Sequence, residues 1–337
     1  MNRFDYVRAG TVAEAVQAFG SDPSARFIAG GTNLIDLMKY NVEKPGRLID
    51  ITRLPLNTIE ERDGGLRIGA LVSNADLAYD DRIRSRYPLL SSAILAGASA
   101  QLRNAASTGG NINQRTRCYY FYDEGTPCNK REPGSGCPAI GGVNRIHAIF
   151  GASDACIATH PSDMCVALAA LEATVQVTGP DGDRAIAFAD YHRLPGDDPA
   201  KDNTLKPGEM VVTVDLPAKD YGQHHTYLKL RDRLSYAFAL VSVAAAFELD
   251  GQTIRTARLA LGGVAHKPWR NLEAEALLQG KPATRENFQA AADLIVAEAK
   301  PQSENGFKIE LARRAIVRGL EQAAAGTPQT QSDKRIQ

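Results

Sequence analysis

The chain has 337 residues, of which 44% are hydrophobic and 23% are charged, a composition typical of a globular protein and not of a disordered one. At about 150 residues per domain, this length predicts about two domains. Its 39 basic and 39 acidic residues give a formal net charge of zero, which excludes a broadly basic face and so argues against nucleic acid or an anionic membrane as partners.

The N-terminal third alternates helix and strand signals. The start, Met1–Arg8, has no apolar core of signal-peptide length, and no run of about 18 apolar residues follows that would span a membrane. Thr11 and Glu14 form a capping-box pair, which predicts a helix that ends at Gly20. Short apolar segments predict strands near 26–29, 47–51 and 66–69, with helices near 32–40 and 89–98. This alternation predicts an α/β or α+β layer structure.

The regular pattern stops from Arg115 to about Ser153, a length of loop that is uncommon in a compact domain unless it has a function or a cross-link. A helix is predicted from about Pro161 to Ala173, and strands are predicted at 175–178, 185–188 and 210–216. A domain break is predicted near 218–223, followed by a β-rich stretch and then two or three helices through Ala325. The polar end, 326–337, is predicted to be disordered.

Two glycine pairs are candidates for binding an anion. The first is Ala29-Gly30-Gly31-Thr32-Asn33, between a strand and a helix, and the second is Ser107-Thr108-Gly109-Gly110-Asn111. Paired glycines let backbone N–H groups converge, and a following helix N-terminus favours phosphate. Neither matches the Rossmann or Walker pattern, and a plain strand-to-helix turn capped by Thr32 fits the first equally well. The two turns together favour a dinucleotide-type cofactor.

All five cysteines fall between Cys118 and Cys165, and none forms a Cys-x-x-Cys pair. The loop has almost no apolar residues between Gly125 and Gly136, which predicts that a metal or an iron–sulfur cluster holds it. Four basic residues are expected to offset thiolate charge: Arg115, Arg117, Lys130 and Arg131. Scattered free cysteines are the alternative. Cys165 lies in an apolar helix as a small buried hydrophobe, which leaves as candidate ligands Cys118, Cys128, Cys137 and Cys156.

Other chemistry-bearing residues form no recognisable set. The six histidines show no metal-ligand spacing and are interpreted as surface or structural residues. Asp163 is interpreted as a capping residue of the helix that follows Pro161. No Ser-His-Asp set, pair of catalytic carboxylates or nucleophile elbow is present, so no catalytic residue is predicted.

An ordered set of motifs resembles the FAD-binding subunit of the molybdenum hydroxylases, a family that includes xanthine dehydrogenases, carbon monoxide dehydrogenases and aldehyde oxidoreductases. The motifs span most of the chain: Phe27-Ile28-Ala29-Gly30-Gly31-Thr32-Asn33-Leu34, Ile68-Gly69-Ala70, Leu102 to Ile112 with Ser107-Thr108-Gly109-Gly110-Asn111, Pro161-Ser162-Asp163, Gly208-Glu209 with Val211, Tyr227 with Lys229, and Leu261-Gly262-Gly263-Val264-Ala265. Segment 115–156 is similar to the [4Fe–4S]-carrying loop of bacterial periplasmic-type aldehyde oxidoreductases, and 4-hydroxybenzoyl-CoA reductase has a comparable insertion.

The resemblance implies a division of labour within a heterotrimer. A large subunit with the molybdenum cofactor would oxidise an aldehyde, a small subunit with two [2Fe–2S] clusters would relay electrons, and this chain would pass them through FAD to a small-molecule acceptor. The resemblance assigns FAD binding to Phe27, Ile28, Ala29, Gly30, Gly31, Thr32, Asn33, Leu34, Ser107, Thr108, Gly109, Gly110, Asn111, Asp163, Val211 and Lys229. It assigns a [4Fe–4S] cluster to Cys118, Cys128, Cys137 and Cys156.

The resemblance also implies the fold, the domains and the location. The fold is α+β, a two-lobed FAD-binding domain of the vanillyl-alcohol-oxidase (PCMH) type over 1–219 with the iron–sulfur loop at 115–156. A smaller C-terminal α/β domain of the CO dehydrogenase flavoprotein type, with a three-stranded sheet, follows over 220–325. The complex is expected in the periplasm by co-export with a partner subunit, or in the cytoplasm if that inference fails.

Two alternatives from other classes stay open. A stand-alone FAD oxidoreductase of the same fold predicts a catalytic set beside the flavin and no partner. A scaffold or binding module with a structural zinc clip predicts a colourless protein. An absorption spectrum distinguishes them, because flavin with about four iron and four labile sulfide per chain fits neither alternative.

Overall fold

The computed structural model describes residues 1–20, 22–219, 221–327 and 329. Apart from Gly326, Thr327 and Gln329, the predicted disordered end at 326–337 lies outside these residues. Within the described part of the chain, no helix combines the length and the apolar character needed to cross a membrane.

A small parallel sheet opens the chain. Its elements are β1 (Asp5–Arg8), α1 (Val12–Phe19), β2 (Ala25–Ile28), α2 (Leu34–Lys39) and β3 (Arg47–Asp50). The strand order is β1-β3-β2, so β3 pairs with both neighbours. The Thr11 hydroxyl accepts from the Glu14 N–H at 3.1 Å, the Glu14 carboxylate accepts from the Gly10 N–H at 2.8 Å, and Gly20 ends the helix at φ +53°. The predicted first helix and its caps are confirmed.

A five-stranded antiparallel sheet with strand order β4-β5-β8-β6-β7 forms the second layer. Its elements are β4 (Ile59–Arg62), β5 (Gly65–Gly69), α3 (Asn74–Tyr79), α4 (Asp81–Arg86), α5 (Pro88–Ala96), α6 (Ala100–Ala105), α7 (Thr108–Ile112), α8 (Tyr119–Tyr122), α9 (Asp163–Ala170), β6 (Thr174–Gly179), β7 (Gly182–Ala187), α10 (Phe188–Tyr191) and β8 (Met210–Leu216). Every residue of α9 is buried, which explains why its sequence shows no polar face. Its N-cap is Ser162 rather than Asp163, since the Ser162 hydroxyl accepts from the Cys165 N–H at 3.1 Å.

The last third forms an antiparallel sheet backed by helices. Its elements are β9 (His225–Leu230), β10 (Val241–Asp250), β11 (Thr253–Gly262), β12 (Trp269–Arg270), α11 (Leu272–Leu278), α12 (Arg285–Val296) and α13 (Phe307–Ala324). The sheet has four strands in the order β12-β11-β10-β9, so the expected three-stranded sheet is wrong by one two-residue strand. Helix α13 packs on one face of β10 and α9 on the other.

Strand β10 belongs to two cores at once. Val243, Ala245 and Phe247 pack with the C-terminal helices, whereas Ala244 and Ala246 pack with α9. Successive residues of a strand point to opposite faces, so this alternation follows from the strand period. The alanines on the α9 side let that helix lie close to the sheet and fix the C-terminal sheet against the rest of the molecule.

The long loop contains one helical turn, α8, and no helix or strand from 123 to 162, which confirms the predicted break in pattern. Polar contacts within the chain nevertheless fold it. The Arg131 guanidinium donates to the carbonyls of Tyr120 and Phe121 at 2.9 and 2.8 Å, and the Asn129 side chain accepts from the Gly136 N–H at 2.8 Å. These contacts hold part of the loop without a metal, and the expectation that a metal or an iron–sulfur cluster also holds it stays a prediction.

Candidate flavin site and cysteine pocket

The first glycine turn leads from β2 into α2 and requires both glycines. A Cβ on Gly30 would lie 1.7 Å from the Ala105 carbonyl oxygen, and Gly31 has φ +70°. The backbone N–H groups of Gly31, Thr32 and Asn33 make no hydrogen bond to any described residue, and the buried Asn33 Nδ2 also has no partner. A cradle of unpaired donors at a helix N-terminus suits a phosphate group.

This turn lies where two cavities meet. One cavity has a volume of about 550 Å³ and the other about 760 Å³, and both are lined by Thr32, Asn33 and Gly110. The smaller cavity is also lined by the rest of the first motif: Phe27, Ile28, Ala29, Gly30, Gly31 and Leu34. The pair therefore offers two chambers joined at a polar, donor-rich junction.

The second glycine turn contributes differently from the prediction. The Thr108 and Gly109 N–H groups donate to the carbonyls of Val72 and Ala70 at 2.9 and 2.8 Å. The Gly110 N–H donates to the Ser107 hydroxyl at 3.2 Å, and the Asn111 N–H to the Ser107 carbonyl at 2.8 Å. These amides are occupied within the chain, so the expectation that both turns present free amides to a diphosphate does not hold for this one.

Asp163 stands at the start of α9 and joins the two parts of the molecule. Its carboxylate accepts from the Lys229 ammonium at 2.7 Å and from the Tyr227 hydroxyl at 2.6 Å. Burial raises the pKa of Tyr227 well above its usual value, and Asp163 raises it further, so the hydroxyl stays a donor. Asp163 and Lys229 both line the larger cavity. Asp163 and Lys229, each predicted as a flavin residue, thus form a buried ion pair.

Most of the predicted flavin residues line one cavity or the other. The exceptions are Thr108 and Gly109, which pack beside Ala70, and Val211, which lies in the core between β5 and β6 at 4% exposure. These three assignments stay predictions without support from the cavity walls. The walls also contain residues that the sequence interpretation missed, among them His160, Arg117, Tyr236 and Phe238. Only adjacency in sequence, of His160 to Pro161-Ser162-Asp163 and of Arg117 to Cys118, offered a signal for them.

The four proposed ligand cysteines line one pocket: Cys118, Cys128, Cys137 and Cys156. The first, second and fourth are buried, and Cys137 is half-buried. Cys165 lies apart on α9, as predicted for the odd cysteine. Burial raises the pKa of Cys118 to about 12 and that of Cys156 to about 11, which favours the protonated form of these two thiols. His147, which also lines the pocket, has Nε2 3.1 Å from the Cys118 sulfur.

The basic residues near this pocket are largely engaged elsewhere. Arg115 pairs with Glu43 at 2.5 Å and Asp202 at 2.7 Å, and Lys130 pairs with Asp202 at 2.5 Å. Arg131 binds backbone carbonyls. The expectation that these residues offset thiolate charge stays a prediction. In its favour, the Lys130 ammonium lowers the pKa of Cys156 against the larger effect of burial.

The sulfur spacing bears on what the pocket can hold. All five cysteines are among the described residues, and no three of their sulfur atoms lie within 4.8 Å of one another. Sulfurs that share one zinc ion are about 3.8 Å apart, since Zn–S bonds are about 2.3 Å and the geometry is tetrahedral. The arrangement is thus not a preformed single-ion site, and it is also not a formed cluster site.

Two family models match this chain: the FAD binding domain in molybdopterin dehydrogenase over residues 2–219, and the CO dehydrogenase flavoprotein C-terminal domain over residues 225–323. The chain is an FAD-binding subunit of the molybdenum hydroxylase family. The FAD-binding subunit PaoB of Escherichia coli strain K12 aldehyde oxidoreductase is 53% identical over 327 residues, covering 96% of this chain and 99% of that protein. The carbon monoxide dehydrogenase medium chain of Hydrogenophaga pseudoflava is 29% identical, covering 96% and 98%.

A solved structure of the Hydrogenophaga pseudoflava carbon monoxide dehydrogenase matches this FAD-binding subunit with a TM-score of 0.76 at 28% identity, covering 96% of this chain and 98% of that one. The expected family and α+β fold are confirmed. Its relatives are subunits of oxidoreductases, as expected, and FAD is the cofactor that the matched domain binds.

Proposed function

We propose that this chain is the electron-transfer subunit of a molybdenum-dependent aldehyde oxidoreductase and holds FAD across the two joined cavities. The observation that carries the proposal is the turn before α2, where the N–H groups of Gly31 to Asn33 have no partner among the described residues. This turn lines the smaller chamber, and its Thr32 and Asn33 line the larger chamber as well. Identity of 53% to a subunit named for aldehyde oxidoreductase supports the substrate class. Bound FAD supplies the capacity to take electrons singly from iron–sulfur centres and release them in pairs.

The chain's own residues would divide the cofactor between the chambers. The junction would hold the diphosphate, the chamber of about 550 Å³ the adenosine half, and the chamber of about 760 Å³ the ring system. Proposed domain 1–219 supplies the junction, and proposed domain 220–325 supplies Lys229, Tyr236 and Phe238 to the larger chamber. The second domain would thus close the ring chamber, and the buried Asp163–Lys229 pair fixes its position.

Replacing Asn33 with alanine tests the junction. The variant removes an unpaired donor and also the acceptor of the Arg115 N–H at 3.0 Å. A hydrogen bond to a charged group contributes about 1.5–3 kcal/mol. The variant should therefore bind FAD more weakly, with a dissociation constant about 10- to 100-fold higher, measured by flavin fluorescence on dilution of the complex. Asn287→Ala, at an exposed position on α12, is the matched control. Equal FAD affinity in both variants would contradict the placement of the diphosphate.

The cysteine pocket is proposed to hold a [4Fe–4S] cluster on Cys118, Cys128, Cys137 and Cys156. Support comes from the lining of one pocket by all four, from sulfur spacing too wide for a single zinc ion, and from the similarity of segment 115–156 to cluster-bearing flavin subunits. The side chains would hold the cluster as thiolates. Arg117 and Cys118 are neighbours in sequence and line the flavin chamber and the cysteine pocket respectively, so the two proposed cofactors would lie close together.

Iron and sulfide analysis of the purified complex tests the cluster. Cys118→Ala or Cys137→Ala should lower iron and labile sulfide by about four each per chain, whereas Cys165→Ser should leave both unchanged. FAD content should be retained in all three variants. Stoichiometric zinc in place of iron would favour the structural clip, and iron lost only from the Cys165 variant would overturn the ligand assignment.

The partners and the location are part of the proposal. A large molybdenum-cofactor subunit and a small subunit with two [2Fe–2S] clusters would complete a heterotrimer, exported to the periplasm with the small subunit, or cytoplasmic if export fails. Relatives named as a medium chain and as an FAD-binding subunit support a multi-subunit enzyme. Co-purification with a molybdenum-containing chain that oxidises aldehydes is the expected result. Flavin turnover without partners would favour a stand-alone oxidoreductase, and activity on an aromatic acyl-CoA thioester alone would favour the 4-hydroxybenzoyl-CoA reductase type.

A further inference from the structure

Behind the wall of the larger cavity lies a second set of metal-ligating side chains, His160, Cys165 and His192. All three are buried, and one ligand atom from each lies within 4.8 Å of the other two, the one such set in the described part of the chain. They come from three places in the fold: the segment before α9, α9 itself and the residue after α10. The cysteine pocket contains none of them.

Each of the two histidines has one buried ring nitrogen without a partner. The His192 Nε2 lies 2.7 Å from the Ile112 carbonyl oxygen, where it donates its proton, and leaves Nδ1 buried without a partner. The His160 Nε2 is also buried without a partner. Metal-bound histidines typically donate their other N–H to a backbone carbonyl. Two unpaired buried nitrogens on residues grouped with a thiol are costly unless something binds them.

We propose that these three side chains form a structural Cu(I) site, with His160 Nε2, His192 Nδ1 and the Cys165 sulfur as ligands. A trigonal site with metal–ligand bonds of about 2.0–2.3 Å needs ligand atoms about 3.5–4 Å apart, so the observed set closes by about 1 Å at most. Thiolate and imidazole ligands favour Cu(I). The thiol proton leaves to solvent as the metal–sulfur bond forms.

Charge decides between Cu(I) and a divalent ion. Cu(I) with one thiolate is neutral, whereas Zn(II) would leave a net positive charge in a buried place. The nearby carboxylate of Asp202 is already bound by Lys130 and Arg115, so it does not offset that charge. The bound ion would tie α9 to the segments on either side of it and hold His160 in the cavity wall.

The test uses the intact complex with its iron centres assembled. Anaerobic titration with Cu(I) against bathocuproine disulfonate should show one more Cu(I) per chain in the wild type than in Cys165→Ser. The Cu(I) affinity of the site should fall in this variant by more than 100-fold, since loss of a hydrogen-bond partner of a ligand alone typically costs about 10- to 100-fold. His224→Gln, which changes a half-buried histidine beside the Ala323 and Ala324 carbonyls and leaves the cysteine pocket intact, is the matched control and should keep this copper. X-ray absorption at the copper edge should give two nitrogens and one sulfur.

Three results would overturn the site. These are a copper shell of sulfur alone, copper lost from His224→Gln but kept by Cys165→Ser, and Zn(II) binding that Cu(I) does not displace. If Cys165→Ser does not assemble, His192→Gln replaces it. If neither variant assembles, the X-ray absorption spectrum of the copper-loaded wild type decides. The site uses no proposed cluster ligand and no residue assigned to FAD binding, so unchanged flavin and iron contents separate its failure from theirs.

Discussion

Gly30→Ala is expected to abolish FAD retention and to destabilise the chain by at least about 4 kcal/mol, a loss reached only through a backbone clash or a comparable defect. The new Cβ would lie 1.7 Å from the Ala105 carbonyl oxygen and 2.6 Å from its carbon. Both atoms are backbone, so no side-chain rotation relieves the clash. Either the turn before α2 or the end of α6 must move, and either movement opens the junction between the two cavities.

The measurement is the FAD-to-protein ratio of the purified complex together with its thermal midpoint. Gly306→Ala is the matched control, because Gly306 has negative φ at the start of α13 and its nearest atom to a new Cβ is 3.9 Å away. That variant should change stability by no more than about 0.5 kcal/mol. Full FAD content in Gly30→Ala would show that the close approach of β2 and α6 is dispensable.

The first glycine turn was predictable because its chemistry is local. A strand, two glycines and a helix start follow one another within ten residues, and the structure places them as the pattern predicts. The capping of α1 by Thr11 is local in the same way. The second turn looked equivalent, but its Thr108 and Gly109 amides are bonded to residues 36 and 39 positions earlier in the chain. Which amides stay free depends on tertiary pairing, and no local pattern records it.

The cysteine loop also shows that a local sequence pattern does not predict contacts between distant segments. Positions in a loop placed four cysteines in one group, the apolar helix around Cys165 set that residue apart, and the structure brings the four to one pocket. Composition, however, could not reveal that Arg131 folds the loop through carbonyls 10 and 11 residues away. It also could not reveal that Cys165 meets two histidines, since His192 reaches it from a separate element. The spacing of residues along the sequence does not predict such contacts between distant segments.

The Ala-rich strand β10 shows why the sequence predicts the fold correctly but not which side chains contact each neighbouring helix. Its sequence predicts a buried strand, because the apolar run is continuous. Which residues face α9 and which face α13 is a matter of register, and one residue of slip would exchange the two sets. The pairing with β9 and β11 fixes the register that turns Val243 towards α13 and Ala244 towards α9.

Asp202→Asn is expected to destabilise the chain by about 3–5 kcal/mol, the usual cost of removing one partner from a buried ion pair. Asp202 accepts from the Lys130 ammonium at 2.5 Å and from Arg115 at 2.7 Å. Arg115 keeps Glu43 in the variant, but the side chain of Lys130 is only 1% exposed and loses its one carboxylate. Because Lys130 lies two residues after Cys128, the cysteine loop should loosen, and iron content should fall with the thermal midpoint. Asp181→Asn, which breaks an exposed pair with Lys206, should cost no more than about 1 kcal/mol.

The pH dependence of stability distinguishes the loss of the Asp202 charge from a loss of side-chain packing at this position. Burial alone would raise the pKa of Asp202, but the cations of Lys130 and Arg115 hold it well below its usual value. A carboxylate with a depressed folded pKa stabilises the protein above its unfolded pKa of about 3.9, and that contribution is lost as the pH falls further. The stability difference between wild type and Asp202→Asn should therefore be largest near neutral pH and shrink below about pH 4.

Adding Lys130→Met to the variant should recover part of the loss, because an unpaired buried ammonium is removed with it. A difference that stays constant down to pH 3, with no recovery in the double variant, would mean that Asp202 acts through packing and that the loop is held by its carbonyl contacts alone.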